Sequence, residues 1–201
     1  MRGGAYVINK SFFVISISYL LLILLYSLVL KYIIIVDLLV ISVGFVIRAI
    51  AGCLAISVLT SPWLIICAFL LALFLALGKR RHELILLGEE AKTHRKILDD
   101  YSTEMLDQMI TTTTGALIVS YSLYTFFVDN IYMMLTIPFA VYGLFRYLFL
   151  VHAKNFGGET EMIFKDKGML LSMVLWAVLV VLILYGVPDM VIGLLEGFED
   201  V

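Results

Sequence analysis
A chain of 201 residues that is 63% hydrophobic and only 15% charged excludes an ordinary soluble domain, where about a quarter of residues carry charge. Its mean hydropathy of +1.07 points to an integral membrane protein, whose spans are apolar because hydrocarbon cannot solvate unpaired polar groups. The formal net charge of −2 conceals strong segregation, and the one basic stretch also carries Glu83, Glu89, Glu90, Asp99 and Asp100, which argues against a nucleic-acid partner.

Crossing a bilayer takes about 20 apolar residues per helix. Six runs meet that length with soft edges: 11–30, 33–56, 62–77, 105–128, 131–151 and 168–185. Each is continuous rather than alternating, so helix is preferred over strand. The fold class is therefore all-α: a polytopic transmembrane bundle of about six helices in a single domain, 1–201. Ser61-Pro62 reads as an N-cap and first-turn proline opening the third helix. Ser102 with Glu104 opens the fourth. Pro138 is expected to kink the fifth. Cys53 and Cys67 fall inside apolar runs and read as small buried hydrophobes. Ala68, Ala72 and Ala76 give the third helix a close-packing face. The hydroxyls of residues 111–114 are expected to bond their own helix backbone.

Cation asymmetry sets orientation. Lys31 follows the first span. Lys79, Arg80, Arg81, Lys92, Arg95 and Lys96 lie between the third and fourth, and Lys154, Lys165 and Lys167 between the fifth and sixth. The other two turns carry no Lys or Arg. This puts the basic segments, including a loop over 78–102, in the cytoplasm. It also puts the N-terminus, with Arg2 and Lys10, outside. That is a poor start for a membrane chain, and the expectation is that an upstream segment is missing.

Two charges sit in the second run. Arg48 lies about 16 Å beyond Asp37 along a helix and returns to within about 20° of its face, with Gly44 and Gly52 on the same stripe. An intramembrane Arg costs at least ~2.5–3.5 kcal/mol. It must face a partner or a polar cavity, so a structural ion pair and a ligand-facing cation are both open.

The segment 78–102 concentrates the remaining chemistry. Gly78 ends the third span in this reading. Lys79, Arg80, Arg81 and Glu83 follow as KRRxE, with Lys79 and Glu83 on one side of any helix. His94-Arg95 and Asp99-Asp100-Tyr101 come next. Cations at a membrane surface suit phosphate oxygens, and adjacent carboxylates suit Mg²⁺, which binds through one or two carboxylates plus substrate phosphates. The bland alternative is a loop whose cations only set topology.

Taken together, the motifs carry a resemblance. Tyr26-Ser27-x-x-Leu30-Lys31 ends one helix. Asp37 and Gly44-Phe45-Val46-Ile47-Arg48-Ala49-Ile50-Ala51-Gly52 occupy the next. Ser61-Pro62-Trp63 opens a third that runs into Gly78-Lys79-Arg80-Arg81-His82-Glu83. This resembles the UbiA prenyltransferase superfamily, and within it the decaprenyl-phosphate phosphoribosyltransferase branch. Phe145-Arg146-Tyr147 fits the same branch. The resemblance implies a nine-helix fold, of which this chain supplies helices four to nine. It implies transfer of phosphoribose from phosphoribosyl diphosphate to a membrane-borne polyprenyl phosphate, with release of diphosphate, Mg²⁺ as cofactor, and a role in cell-envelope synthesis.

On that reading Lys79, Arg80 and Glu83 carry the catalytic site. Arg81, Arg48, Tyr26, Lys31, Arg95 and His94 contact phosphate, and Asp37 and Glu83 hold the metal. The family's first Asp-rich motif, Asn-Asp-x-x-Asp, is absent from this sequence, so half of the expected metal site is missing. Two alternatives stand beside this one: another UbiA-type transferase acting on an aromatic acceptor, and a non-catalytic membrane remnant.

Overall fold
A computed structural model describes residues 10–56, 58, 60–87, 100–128, 130–153, 165–188 and 190. Among them run six α-helices and no strand: α1 Lys10–Leu28, α2 Val36–Ala55, α3 Pro62–Leu87, α4 Thr103–Phe127, α5 Ile137–Ala153 and α6 Lys167–Leu184. Short 3-10 segments, Leu30–Tyr32 and Ile131–Thr136, precede α2 and α5. The all-α reading holds, and each helix falls on one of the six apolar runs. Four stretches are long and apolar enough to cross a membrane: Val36–Ala55, Pro62–Leu86, Ile131–Ala153 and Lys167–Leu184. The apolar part of α1, Phe12–Leu28, is shorter. The first half of α4 is too polar, with Glu104, Asp107, Gln108 and its threonines. This is a membrane protein, and its surface says so as well. Leu20, Leu21, Leu24 and Leu25 of α1 are at least half exposed, a greasy face that lipid covers.

The helix ends follow local chemistry. α3 begins at Pro62, where the missing N–H costs nothing. α4 begins after Ser102, whose hydroxyl accepts from the Met105 N–H at 3.1 Å. Thr111, Thr112 and Thr114 each donate to the carbonyl one turn back, as expected. Two expectations are corrected. Gly78 does not end the third helix, because α3 continues to Leu87 and carries KRRxE on its last turns. A mid-helix glycine costs only about 1 kcal/mol, and the buried contacts of those turns outweigh it. Nor does Pro138 kink a helix. The run over 131–151 starts as a 3-10 segment, and Pro138 falls in the first turn of α5, where proline is tolerated.

The chain divides into two compact units, 1–120 and 121–201, with the boundary inside α4. In the first, α2 packs against both α1 and α3. In the second, α5 packs against α6 and the preceding 3-10 segment. Asp166 caps α6 by accepting from the Met169 N–H at 2.8 Å. Its carboxylate also takes two hydrogen bonds from Arg146, at 2.9 and 2.8 Å. The Trp176 indole N–H donates to the Tyr121 hydroxyl at 2.7 Å, and that hydroxyl pairs with Thr136 at 2.6 Å. Arg146, Asp166, Tyr121, Thr136 and Trp176 thus find partners within this unit.

Candidate functional site
The site begins with a strained turn. Ile35, just before α2, has φ +67° and ψ −43°, and the Val36 N–H bonds the Ile34 carbonyl at 2.7 Å. This is a γ-turn of the rare hand, and for a β-branched residue positive φ is a true outlier. Such strain persists only where the surroundings over-determine it. Here the Tyr101 hydroxyl accepts from the Ile35 N–H at 2.7 Å and donates to Asp37 Oδ1 at 2.9 Å. One phenol therefore fixes both the turn and the carboxylate that follows it.

Asp37 is fully buried, and its other oxygen pairs with Arg80 Nη2 at 2.5 Å. Arg80, 4% exposed, turns its Nη1 to Glu83 Oε2 at 2.8 Å. A guanidinium this buried needs such partners, since an unpaired ion costs several kcal/mol. Its Nε–H is also buried and has no partner among the described residues. Beside it, Arg81 Nε binds Asp107 Oδ1 at 2.5 Å, tying α3 to the start of α4. Tyr101 lies just outside α4. Burial pushes its phenol up to about 12, against the lowering pull of the Ile35 N–H; the charge on Asp37 and its hydrogen bond add to the rise. It is a neutral donor at any working pH.

The expected residues separate. Asp37, Arg80 and Glu83 come together, with Arg81 on the adjoining pair. Lys79 is exposed and makes no ion pair among the described residues. Lys31 lies with its ammonium 5.0 Å from the Tyr32 ring. Arg48 does not join the cluster, although helical spacing puts it on the stripe of Asp37. Asp37 is covered by Arg80 of α3, whereas Arg48 is exposed beside α1, with its guanidinium 4.1 Å from the Phe45 ring and 5.7 Å from that of Tyr19. Tyr26 lines the same groove as Arg48. His94 and Arg95 lie outside the described residues. The sequence reading gave no place in the site to Tyr101, nor to Asp107 as the partner of Arg81. Both act across the chain, so no local spacing signals them.

The metal expectation meets a specific geometry. Asp37 and Glu83 both spend an oxygen on Arg80, whose charge stands where a cation between them would. No group of three or more His, Cys, Asp or Glu suited to a metal occurs among the described residues. These residues alone do not make a Mg²⁺ site.

No protein-family model matches the chain. It is 28% identical over 165 residues to the decaprenyl-phosphate phosphoribosyltransferase of Corynebacterium glutamicum, covering 79% of this chain and 49% of that protein. The protein of the same name from Mycolicibacterium smegmatis is 28% identical over 176 residues, with 81% and 55% covered. That from Mycobacterium tuberculosis is 28% identical over 178 residues, with 87% and 59% covered. The chain is similar to decaprenyl-phosphate phosphoribosyltransferases. It spans about half the length of the curated relatives it matches. The similarity agrees with the resemblance read from KRRxE and the Gly44 to Gly52 motif.

Proposed function
We propose that this chain carries part of the site of a membrane transferase that joins phosphoribosyl diphosphate to a polyprenyl phosphate in cell-envelope synthesis. The similarity to decaprenyl-phosphate phosphoribosyltransferases over most of the chain supports this reading, together with a cationic, carboxylate-braced cluster where α2 and α3 meet. In the reaction a lipid phosphate oxygen forms a bond to C1 of the ribose. The bond from C1 to the diphosphate oxygen breaks, and its electron pair leaves with diphosphate. The protein's part is to hold two anions together and to stabilise charge on the leaving group.

In this reading Lys79 is the mobile cation that meets phosphate, and Arg80 is the fixed one. Asp37 and Glu83 hold the Arg80 guanidinium in place, and Tyr101 holds Asp37. Arg81, braced by Asp107, and Lys31 are further cations proposed for phosphate, as are His94 and Arg95, which lie outside the described residues. Mg²⁺ is expected to arrive with the diphosphate.

The test is binding of phosphoribosyl diphosphate to the purified chain in detergent, with and without Mg²⁺. Lys79→Ala is the better control than Arg80→Ala, because Lys79 is exposed and its loss leaves the buried ion pairs intact. Charge-assisted contacts contribute about 1.5–3 kcal/mol, so a loss of about tenfold or more is expected. If the chain binds only after the upstream half of a relative is supplied, it contributes to a site it does not complete. If neither form binds, the phosphoribosyl reading fails.

A further inference from the structure
Ile35 stands between two groups assigned to the anion site. Upstream of it, Lys31 lies in the 3-10 segment Leu30–Tyr32, which packs against both α1 and α2. Downstream of it, Asp37 opens α2 and pairs with Arg80. The φ of +67° at Ile35 sets the angle between these two stretches. Backbone strain of this kind concentrates at ligand clamps and switch regions, and here a single side chain holds it. The Tyr101 hydroxyl accepts from the Ile35 N–H at 2.7 Å and donates to Asp37 Oδ1 at 2.9 Å.

Of the two acids on Arg80, only Asp37 ties it to another helix. Glu83 is three residues on in α3, so it follows any movement of that helix. Asp37 belongs to α2, and Tyr101 fixes the direction of its carboxylate. The phenol itself is 5% exposed and comes from the chain just before α4, outside both helices. Without its hydroxyl, the Ile35 N–H and Asp37 Oδ1 lose this partner. Ile35 then relaxes towards the negative φ that a β-branched residue prefers. That rotation moves Lys31 relative to Asp37, and Asp37 relative to Arg80.

We propose that Tyr101 is a positioning residue of the anion site. It sets anion affinity without adding charge, by holding Lys31, Asp37 and, through Asp37, the Arg80 guanidinium in one arrangement. This assignment rests on the phosphate-binding reading of Lys31 and Arg80, and names the neutral group that their geometry depends on. Coupling of this kind is reciprocal. If the clamped turn favours the anion, a bound anion favours the clamped turn by the same factor.

The test is titration of the purified chain in detergent with inorganic diphosphate and with phosphoribosyl diphosphate, each with Mg²⁺. Tyr101→Phe should weaken diphosphate binding about fivefold, the worth of one hydrogen bond. Tyr121→Phe is the control. It breaks the hydroxyl network with Thr136 and Trp176 in the other unit, so it should lower stability and leave affinity unchanged. Tyr101→Phe combined with Asp37→Asn should lose less affinity than the two single losses together, because one acts through the other. Hydrogen exchange on the native chain needs no variant. Saturating diphosphate should slow exchange of the Ile35 N–H about fivefold relative to the Met169 N–H, which Asp166 holds in the other unit. Unchanged affinity in folded Tyr101→Phe, additive losses, or unchanged Ile35 exchange would each overturn the positioning role, while binding by the native chain would leave the transferase reading standing. Diphosphate binding that depends on Tyr101, without binding of phosphoribosyl diphosphate, would uphold the positioning role and sink the transferase reading. Binding of neither anion overturns both.

Discussion

Removing the Asp37 carboxylate would leave the Arg80 guanidinium buried with Glu83 as its remaining acid. Breaking a buried pair from one side typically costs about 3–5 kcal/mol, whereas replacing both partners by apolar groups of similar size is often near neutral. Asp37→Asn should therefore lower unfolding stability in detergent by that amount, and Asp37→Leu with Arg80→Met together by less than either alone. A single-variant loss within about 0.5 kcal/mol would show that the pair is not structural. Tyr101 gives a pH test. Its folded pKa is raised from 10.0 to about 12, so its stabilising contribution is complete below pH 10 and is lost as pH rises through about 12. The stability gap between the native chain and Tyr101→Phe should be constant up to pH 10 and should close above it; a gap that closes below pH 9 would contradict the raised pKa. The sequence flagged Asp37, Arg80 and Glu83, but helical spacing put Asp37 on the same stripe as Arg48. Periodicity reports which residues share a face of one helix. It does not report which neighbouring helix covers each part of that face.

At the scale of elements, the turn into α2 and the cap of α6 make separate predictions. Ile35 holds positive φ at a cost of order 1–3 kcal/mol, and glycine adopts that region freely. The side chain is 36% exposed, so the packing lost on truncation offsets part of that relief. Ile35→Gly should be neutral or stabilising by about 1 kcal/mol in thermal unfolding, while the same change at Ile34 should destabilise. If Ile35→Gly destabilises as much as Ile34→Gly, the turn is not strained. Asp166 serves two roles at once, capping α6 and pairing with Arg146. Asp166→Asn retains a capping oxygen and should lose less than Asp166→Ala, with the cap alone contributing about 1 kcal/mol. Helix starts at Pro62 and Ser102 were legible because proline and serine act on their own backbone. The continuation of α3 through Gly78 was not, since contacts with Asp37 and Asp107 hold its last turns in place.

At the scale of the whole molecule, the apolar stretches predict retention in the membrane fraction after alkaline carbonate extraction. Cation asymmetry further predicts that a thiol introduced by Lys79→Cys reacts with an impermeant reagent from the cytoplasmic side, and one introduced by Ile131→Cys from the other. Labelling of both from the same side would overturn the topology. Sequence by itself determined the solvent of this protein, its helical class and the places of the six helices, four of which are long and apolar enough to cross a membrane, because lipid imposes apolar composition and internal backbone bonding on each span separately. It also carried the likeness to phosphoribosyltransferases, through short motifs whose residues are neighbours in the chain. Only the tertiary structure decided that Arg80 is spoken for by Asp37 and Glu83, that Tyr101 clamps the strained turn, and that Arg48 stands apart in a greasy groove. Those partners lie up to 66 residues apart in the chain. Burial and pairing of a charge depend on which helices meet, and no pattern within one helix encodes that.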